Sequence, residues 1–174
     1  MEEAASCRFT NVQSSPPMPA IITPERPDTP DATALIAELE AYLEPLYPRE
    51  SRHGYSVEKL IAEGVAFFLI RDGGAPAGCG GIKLFGTEYG EVKRMYVRPQ
   101  FRGRGFAKLM LNHLADHARS QWVRILRLET GIHQHAAIRL YEREGLQAYS
   151  AVWAIPGRPG QPVLRKTHSV KAAP

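Results

Sequence analysis

The sequence predicts a single α+β domain, an α/β arrangement on a mixed sheet, and three observations lead there. The chain has 174 residues and 19.3 kDa, room for one domain of ordinary size. Hydrophobic residues make up 44% and charged residues 23%, the balance of a chain that buries a core rather than one that stays unfolded. Short β-like runs joined by glycine turns are interspersed with segments of helical period, which gives the order β-α-α-β-β-β-α-β-α-β with a further C-terminal strand in question.

Residues 1–18, with Ser14-Ser15-Pro16-Pro17, show no apolar period and read as a disordered lead-in, with Met18 a second candidate start. The domain is expected over 19–170 and a flexible tail over 171–174. Ala20 to Thr23 forms a short strand. Thr29-Pro30 supplies an N-cap followed by proline at the first helical position. Leu35, Ile36, Leu39, Tyr42, Leu43 and Leu46 then recur at helical spacing until Pro45 and Pro48 end the helix. Ser56 caps a second, shorter helix through Leu60-Ile61, which Gly64 closes.

Three strands follow, Val65 to Asp72, Pro76 to Phe85 and Tyr89 to Val97, and the Gly73-Gly74 and Gly86-Thr87 connections suit antiparallel hairpins. Ala107, Met110, Leu111, Leu114 and Ala118 line one face of a helix over Phe106 to Arg119. Ile125 to Thr130 reads as a strand, Ala136 to Glu144 as a helix stopped by Gly145, and 146–155 as one more strand. Val163 to Val170 is a weak candidate for a closing strand after the Pro156-Gly157-Arg158-Pro159-Gly160 turn.

Charge and composition exclude several classes of protein. Arg158, Arg165, Lys166 and Lys171 in 156–174 face no acid, so residues 1–155 hold 18 basic and 18 acidic side chains. A neutral body lacks the basic stripe of a nucleic-acid binder, and no nucleic-acid partner is expected. The longest apolar run, Val65 to Ile70, falls far short of the roughly 20 residues needed to cross a bilayer. The acidic Met1-Glu2-Glu3 start is unlike a secretory signal, so the expected location is cytoplasmic, with no membrane partner. Cys7 and Cys79 belong to no metal-ligand cluster and are expected as free thiols. His113 and His117 stand four apart on a helix but lack the glutamate of a zinc-peptidase motif, and no metal is expected.

The most informative segment runs from Val97 through Arg98-Pro99-Gln100-Phe101-Arg102-Gly103-Arg104-Gly105-Phe106-Ala107. A strand ends, a glycine-bearing turn follows, and a helix begins. Such a turn lets backbone N–H groups at a helix N-terminus close on a phosphate. It has neither the Lys-Ser/Thr of a P-loop nor the third glycine of the dinucleotide fingerprint.

These residues resemble a known family. Arg102-x-x-Gly105-x-Ala107 is similar to the Arg/Gln-x-x-Gly-x-Gly/Ala acetyl-CoA motif of the GNAT superfamily of N-acetyltransferases, and Ala137-Ile138-Arg139-Leu140-Tyr141-Glu142-x-x-Gly145-Leu146 resembles that family's Ala-x-x-Leu-Tyr helix. The two lie at the family's separation, and 20–155 can be laid onto its fold. The sequence departs from the pattern at Gln134, where many members carry Asn, and at Leu146, where Phe is usual.

The resemblance implies direct acetyl transfer from acetyl-CoA to an amine, with a GNAT-like fold and the option of a homodimer. It implies cofactor contacts from Met95, Tyr96, Val97, Arg102, Gly103, Arg104, Gly105, Phe106, Ala107, Gln134 and Tyr141. Met95 and Val97 would offer backbone amides to the acyl carbonyl, and Tyr141 would protonate the leaving thiolate, against an alternative in which it only packs in the core. Glu91 is the candidate base, or else a strand carboxylate paired with Lys93 or Arg94. Six strand residues at about 3.3 Å each separate Glu91 from Val97. The loop Tyr47-Pro48-Arg49-Glu50-Ser51-Arg52-His53 corresponds to the acceptor wall, with Tyr47, Glu50, Ser51 and His53 as candidate acceptor contacts. A small amine is the expected acceptor. A protein amine, an aminoacyl-tRNA, or a CoA-binding module without turnover remain the alternatives.

Overall fold

The computed structural model describes residues 19–47, 55–131, 133–149 and 152–154. The elements run β1 (Ile21–Pro24), α1 (Pro30–Leu43), α2 (Val57–Ala62), β2 (Ala66–Asp72), β3 (Ala75–Phe85), β4 (Tyr89–Val97), α3 (Phe106–Ser120), β5 (Leu126–Glu129), α4 (His135–Arg143), β6 (Gln147–Tyr149) and β7 (Val152–Ala154). They form a seven-stranded sheet in the order β1-β2-β3-β4-β5-β7-β6. All neighbours are antiparallel except β4 and β5, because α3 must cross the sheet between those two strands.

Local signals set the helix starts. The Thr29 side chain accepts the Ala32 N–H at the head of α1, and the Ser56 hydroxyl accepts the Lys59 N–H at the head of α2. On one side of the sheet Ala32, Leu35, Ile36 and Leu39 of α1 and Leu60 of α2 pack on Phe67, Leu69, Cys79 and Tyr96. On the other side Met110, Leu111, Leu114 and Ala118 of α3 meet Ile82, Val92, Leu126 and Leu128, with Tyr141 of α4 at the margin. The strands alternate between these two cores, as a sheet covered on both faces requires. His113 and His117 lie edge-on to the Phe68 ring, at 4.5 and 5.3 Å between centroids. Among the described residues no group of three or more His, Cys, Asp or Glu side chains could hold a metal ion, and no helix is long and apolar enough to cross a membrane.

The C-terminal part differs from the sequence expectation. The segment read as one strand over 146–155 holds an antiparallel pair, β6 and β7, and the later strand β7 inserts between β5 and β6. Residues 146–155 hold no Gly, Pro, Asn or Asp to mark a turn, so the sequence alone did not reveal the reversal. The Val163 to Val170 candidate, the 1–18 lead-in and the basic tail lie outside the described residues. Tyr42 also departs from expectation. Its spacing fits the buried face of α1, yet it is 39% exposed and turns to the cleft described below.

Register decides the shape of β4. Cys79 pairs with Tyr96 but Gly81 pairs with Lys93, so β4 carries a bulge centred on Arg94, whose φ is +52°. The Arg94 side chain is 8% exposed and paired with Glu40, and its Nε–H donates to the Tyr55 carbonyl at 2.7 Å. Just beyond the bulge β3 and β4 close on each other. A Cβ at Gly78 would stand 2.4 Å from the Tyr96 carbonyl oxygen. Gly78→Ala must push the two backbones apart, an overpacking cost of about 1–3 kcal/mol. We expect its Tm to fall by at least about 3 °C at this chain length. Differential scanning calorimetry that finds no change would show that the strands relax freely there.

Candidate active site

The bulge changes which way the β4 amides point. At the start of the strand the Gly90 N–H donates to the Ile125 carbonyl, toward β5. At its end the Arg98 N–H donates to Ala77, toward β3. One extra residue at Arg94 shifts the parity between the two ends, so the N–H groups of Met95 and Val97 face the β5 side. Among the described residues no strand pairs with them there. β4 and β5 pair only at Gly90↔Leu126, Glu91↔Arg127 and Val92↔Leu128, and beyond Val92 the two strands part.

The gap opens into a cleft of about 490 Å³ lined by residues of α1, β4, the turn before α3, and α3 and α4. Met95, Tyr96 and Val97 form its β4 wall, Arg102, Gly103, Gly105, Phe106 and Ala107 its middle, and Gln134 and Tyr141 its α4 wall. Ten of the eleven residues expected at a cofactor therefore border one cavity. Arg104 turns away, with its guanidinium on Asp72 at 2.7 Å and over the Phe106 ring at 4.9 Å.

Two helix N-termini meet this cleft, and both lack a side-chain cap. α3 begins at Gly105 and α4 at Gln134, neither with a capping hydrogen bond, in contrast to α1 and α2. The first intrahelical bond of α3 is Leu109 N–H to the Gly105 carbonyl. The amides of Phe106, Ala107 and Lys108 thus have no partner within the helix, and the positive end of its dipole lies with them. Gly103 and Gly105 take φ of +77° and +82°, and a Cβ on either would meet nothing within 4 Å. This open, amide-lined space suits a pyrophosphate.

Tyr141 is 6% exposed, and burial pushes its phenol up to about 12. Its hydroxyl lies 4.0 Å from the Met95 sulfur. A phenol so held stays protonated across the physiological range.

Glu91 is not at the cleft. It sits on the α1/α2 side of β4 in an ion pair with Lys93, the pairing weighed as its structural alternative. Among the expected acceptor contacts only Tyr47 is described. Its hydroxyl accepts the His133 N–H at 3.0 Å, and its ring lies 5.6 Å from the His133 ring. The contact is close enough that a Cβ on Gly131 would meet the Tyr47 hydroxyl at 2.0 Å. Glu50, Ser51 and His53 lie outside the described residues.

Two residues at the end of β5 were missed in the sequence. Glu129 is exposed one position beyond the last β4–β5 pair. Thr130 holds a buried hydroxyl with no hydrogen-bond partner. Neither belongs to a motif, and only the parting of the strands gives them interest.

A mixed sheet that opens between its two parallel strands beside an uncapped, glycine-led helix is the fold of an acyl-CoA N-acyltransferase. Residues 32–146 match the acetyltransferase (GNAT) family, and the chain belongs to that family as an acetyl-CoA-dependent N-acetyltransferase. It is 40% identical over 126 residues to an IAA acetyltransferase of Azospirillum brasilense, covering 71% of this chain and 82% of that one. A Klebsiella pneumoniae structure described as a candidate acyl-CoA N-acyltransferase is 35% identical with a TM-score of 0.64, over 79% of this chain and 97% of the other. The PaiA N-acetyltransferase of Thermoplasma acidophilum, solved with coenzyme A, shares the fold at a TM-score of 0.64 and 17% identity, over 79% and 97% of the two chains.

Proposed function

We propose that this enzyme acetylates the primary amine of a small molecule, and that the cleft between β4 and β5 is where it does so. The observation that carries the reading is the coincidence in one cavity of three groups the reaction needs: outward-facing β4 amides, an uncapped α3 N-terminus and a protonated, buried phenol. The backbone of Gly103 to Ala107 holds the pyrophosphate of acetyl-CoA, and Gln134 borders its arm. Bound, acetyl-CoA supplies an acetyl thioester whose carbonyl carbon takes the amine nitrogen and whose carbon–sulfur bond then breaks. The Met95 and Val97 amides donate to the carbonyl oxygen as charge grows on it, the preorganised stabilisation that lowers such barriers most. Tyr141 gives its proton to the departing sulfur. The amine loses its own proton to water, because Glu91 lies away from the cleft in its ion pair with Lys93.

The hydrogen bond from the His133 N–H to the Tyr47 hydroxyl ties the α1–α2 connection to the β5–α4 connection. The test is release of free CoA thiol from acetyl-CoA against a panel of amino acids, polyamines, aminoglycosides, peptides and intact proteins. Turnover with free small amines is expected. Activity confined to protein or tRNA acceptors, or acetyl-CoA binding with no turnover at all, would overturn the reading.

A further inference from the structure

Among the described residues only two other than glycine take a positive φ, Trp122 at +62° and Arg94 at +52°. Trp122 stands just past the end of α3, where helices commonly stop on a left-handed residue. Arg94 lies inside a strand, at the β4 bulge. A bulge obtains this backbone most readily from glycine, because any side chain disfavours it. The Arg94 side chain is also buried, which a charged group tolerates only when it is paired. Both penalties fall on one residue, so its side chain must supply something that glycine cannot.

Three elements converge on Arg94. From α1 comes the Glu40 carboxylate, which accepts from the guanidinium. At the entry to α2 the Tyr55 carbonyl accepts from Nε and from one Nη. Tyr55 is itself held, with the Lys59 and Lys93 ammonium groups over its ring at 4.3 and 4.5 Å. From β3 the buried Cys79 thiol donates to the Arg94 carbonyl at 3.3 Å. That last contact sets a direction. The Arg94 carbonyl and the Met95 N–H belong to one planar trans peptide and point opposite ways. With the carbonyl held toward β3, the Met95 N–H faces away from β3, into the gap beside β5.

We propose that Arg94 is a positioning residue for acetyl transfer. Its guanidinium, locked between Glu40 and Tyr55, stops the Arg94–Met95 peptide from turning and keeps the Met95 N–H aimed at the acyl carbonyl. The Cys79 thiol steadies the same peptide from the β3 side. Arg94 does not line the cleft, so it acts through its own peptide rather than by touching acetyl-CoA or the acceptor. The inference rests on the reading of the β4 amides as donors to the acyl carbonyl, and it names what holds them.

The test reads the carbonyl itself. Acetyl-CoA labelled isotopically at the acetyl carbonyl carbon is bound to the enzyme without acceptor, and infrared difference spectroscopy follows the thioester stretch. Hydrogen bonds polarise that carbonyl and move the stretch to lower frequency, a shift expected in the wild type. Arg94→Gly accepts the left-handed backbone without strain but lacks the clamp. It should lose at least half of the shift and turn over about 30-fold or more slowly in kcat, while acetyl-CoA affinity by calorimetry changes less than about threefold. Arg94→Lys should recover part of both, because an ammonium reaches one partner where the fork reaches two. Glu40 lies on a helix with its side chain 37% exposed, so Glu40→Ala preserves the helix and removes one arm of the clamp. It should lose a smaller share of the shift, with kcat about fivefold lower. A residue that only stabilises the fold would lower the Tm and leave shift and kcat alone. That result in Arg94→Gly, or in Glu40→Ala should Arg94→Gly not fold, overturns the proposal and leaves the amide reading intact. A wild-type carbonyl at the frequency of free acetyl-CoA would remove the amide reading, and the proposal with it.

Discussion

Gly105→Asp is expected to lower acetyl-CoA affinity at least 100-fold, about 2.7 kcal/mol, without unfolding the protein. A Cβ at this position meets no atom of the chain within 4 Å, so the substitution creates no clash. Its φ of +82° costs a side chain about 1–2 kcal/mol, though aspartate tolerates this region better than most residues. The new carboxylate then lies at the uncapped head of α3, where an acid is an effective N-cap. It takes the N–H groups proposed to hold the pyrophosphate and repels the anion as well. Stability should therefore hold while binding disappears, a combination that a merely misfolded variant cannot show. Gly105→Ala brings the strain without the charge and should cost less affinity. Calorimetric titration of folded Gly105→Asp with undiminished affinity would place the pyrophosphate elsewhere.

Tyr141→Phe is expected to lower kcat by about 100-fold or more with acetyl-CoA affinity changed by less than about twofold. The ring keeps its packing against the α3 core, and only the proton donor leaves. The pH dependence carries a sign. Burial raises the phenol to about 12, so the neutral, proton-donating form persists from neutral pH to beyond pH 10, and Tyr141 introduces no alkaline loss of kcat in that range. The rate should climb with pH as the acceptor amine loses its proton. A wild-type kcat that falls with a midpoint near pH 9, with the fall absent in Tyr141→Phe, would contradict the burial argument. An unchanged kcat in the variant under rate-limiting chemistry would return Tyr141 to a packing role.

Much of this enzyme is written locally in its sequence. Thr29 and Ser56 cap α1 and α2 because a hydroxyl and an N–H three residues on are neighbours whatever the rest of the chain does. The β2–β3 and β3–β4 hairpins follow from glycine turns between apolar runs, and the Arg102 to Ala107 turn leads into α3 where its glycines allow. The motif pair and the element order were enough to point to the acetyl-transfer family. What the sequence alone did not decide depends on register between distant strands. The parting of β4 from β5 after Val92, the bulge at Arg94 that turns the Met95 and Val97 amides to the gap, and the reversal of β6 into β7 come from pairings that no window along the chain contains. The same holds for side-chain partners. Lys93 takes Glu91, Asp72 takes Arg104, and Tyr42 leaves the helix core to stand beside Arg102, because a charge settles on whichever opposite charge the fold brings nearest. Sequence periodicity reports which face of an element is apolar. Which group faces it across the cleft is set only when the sheet has closed around its core.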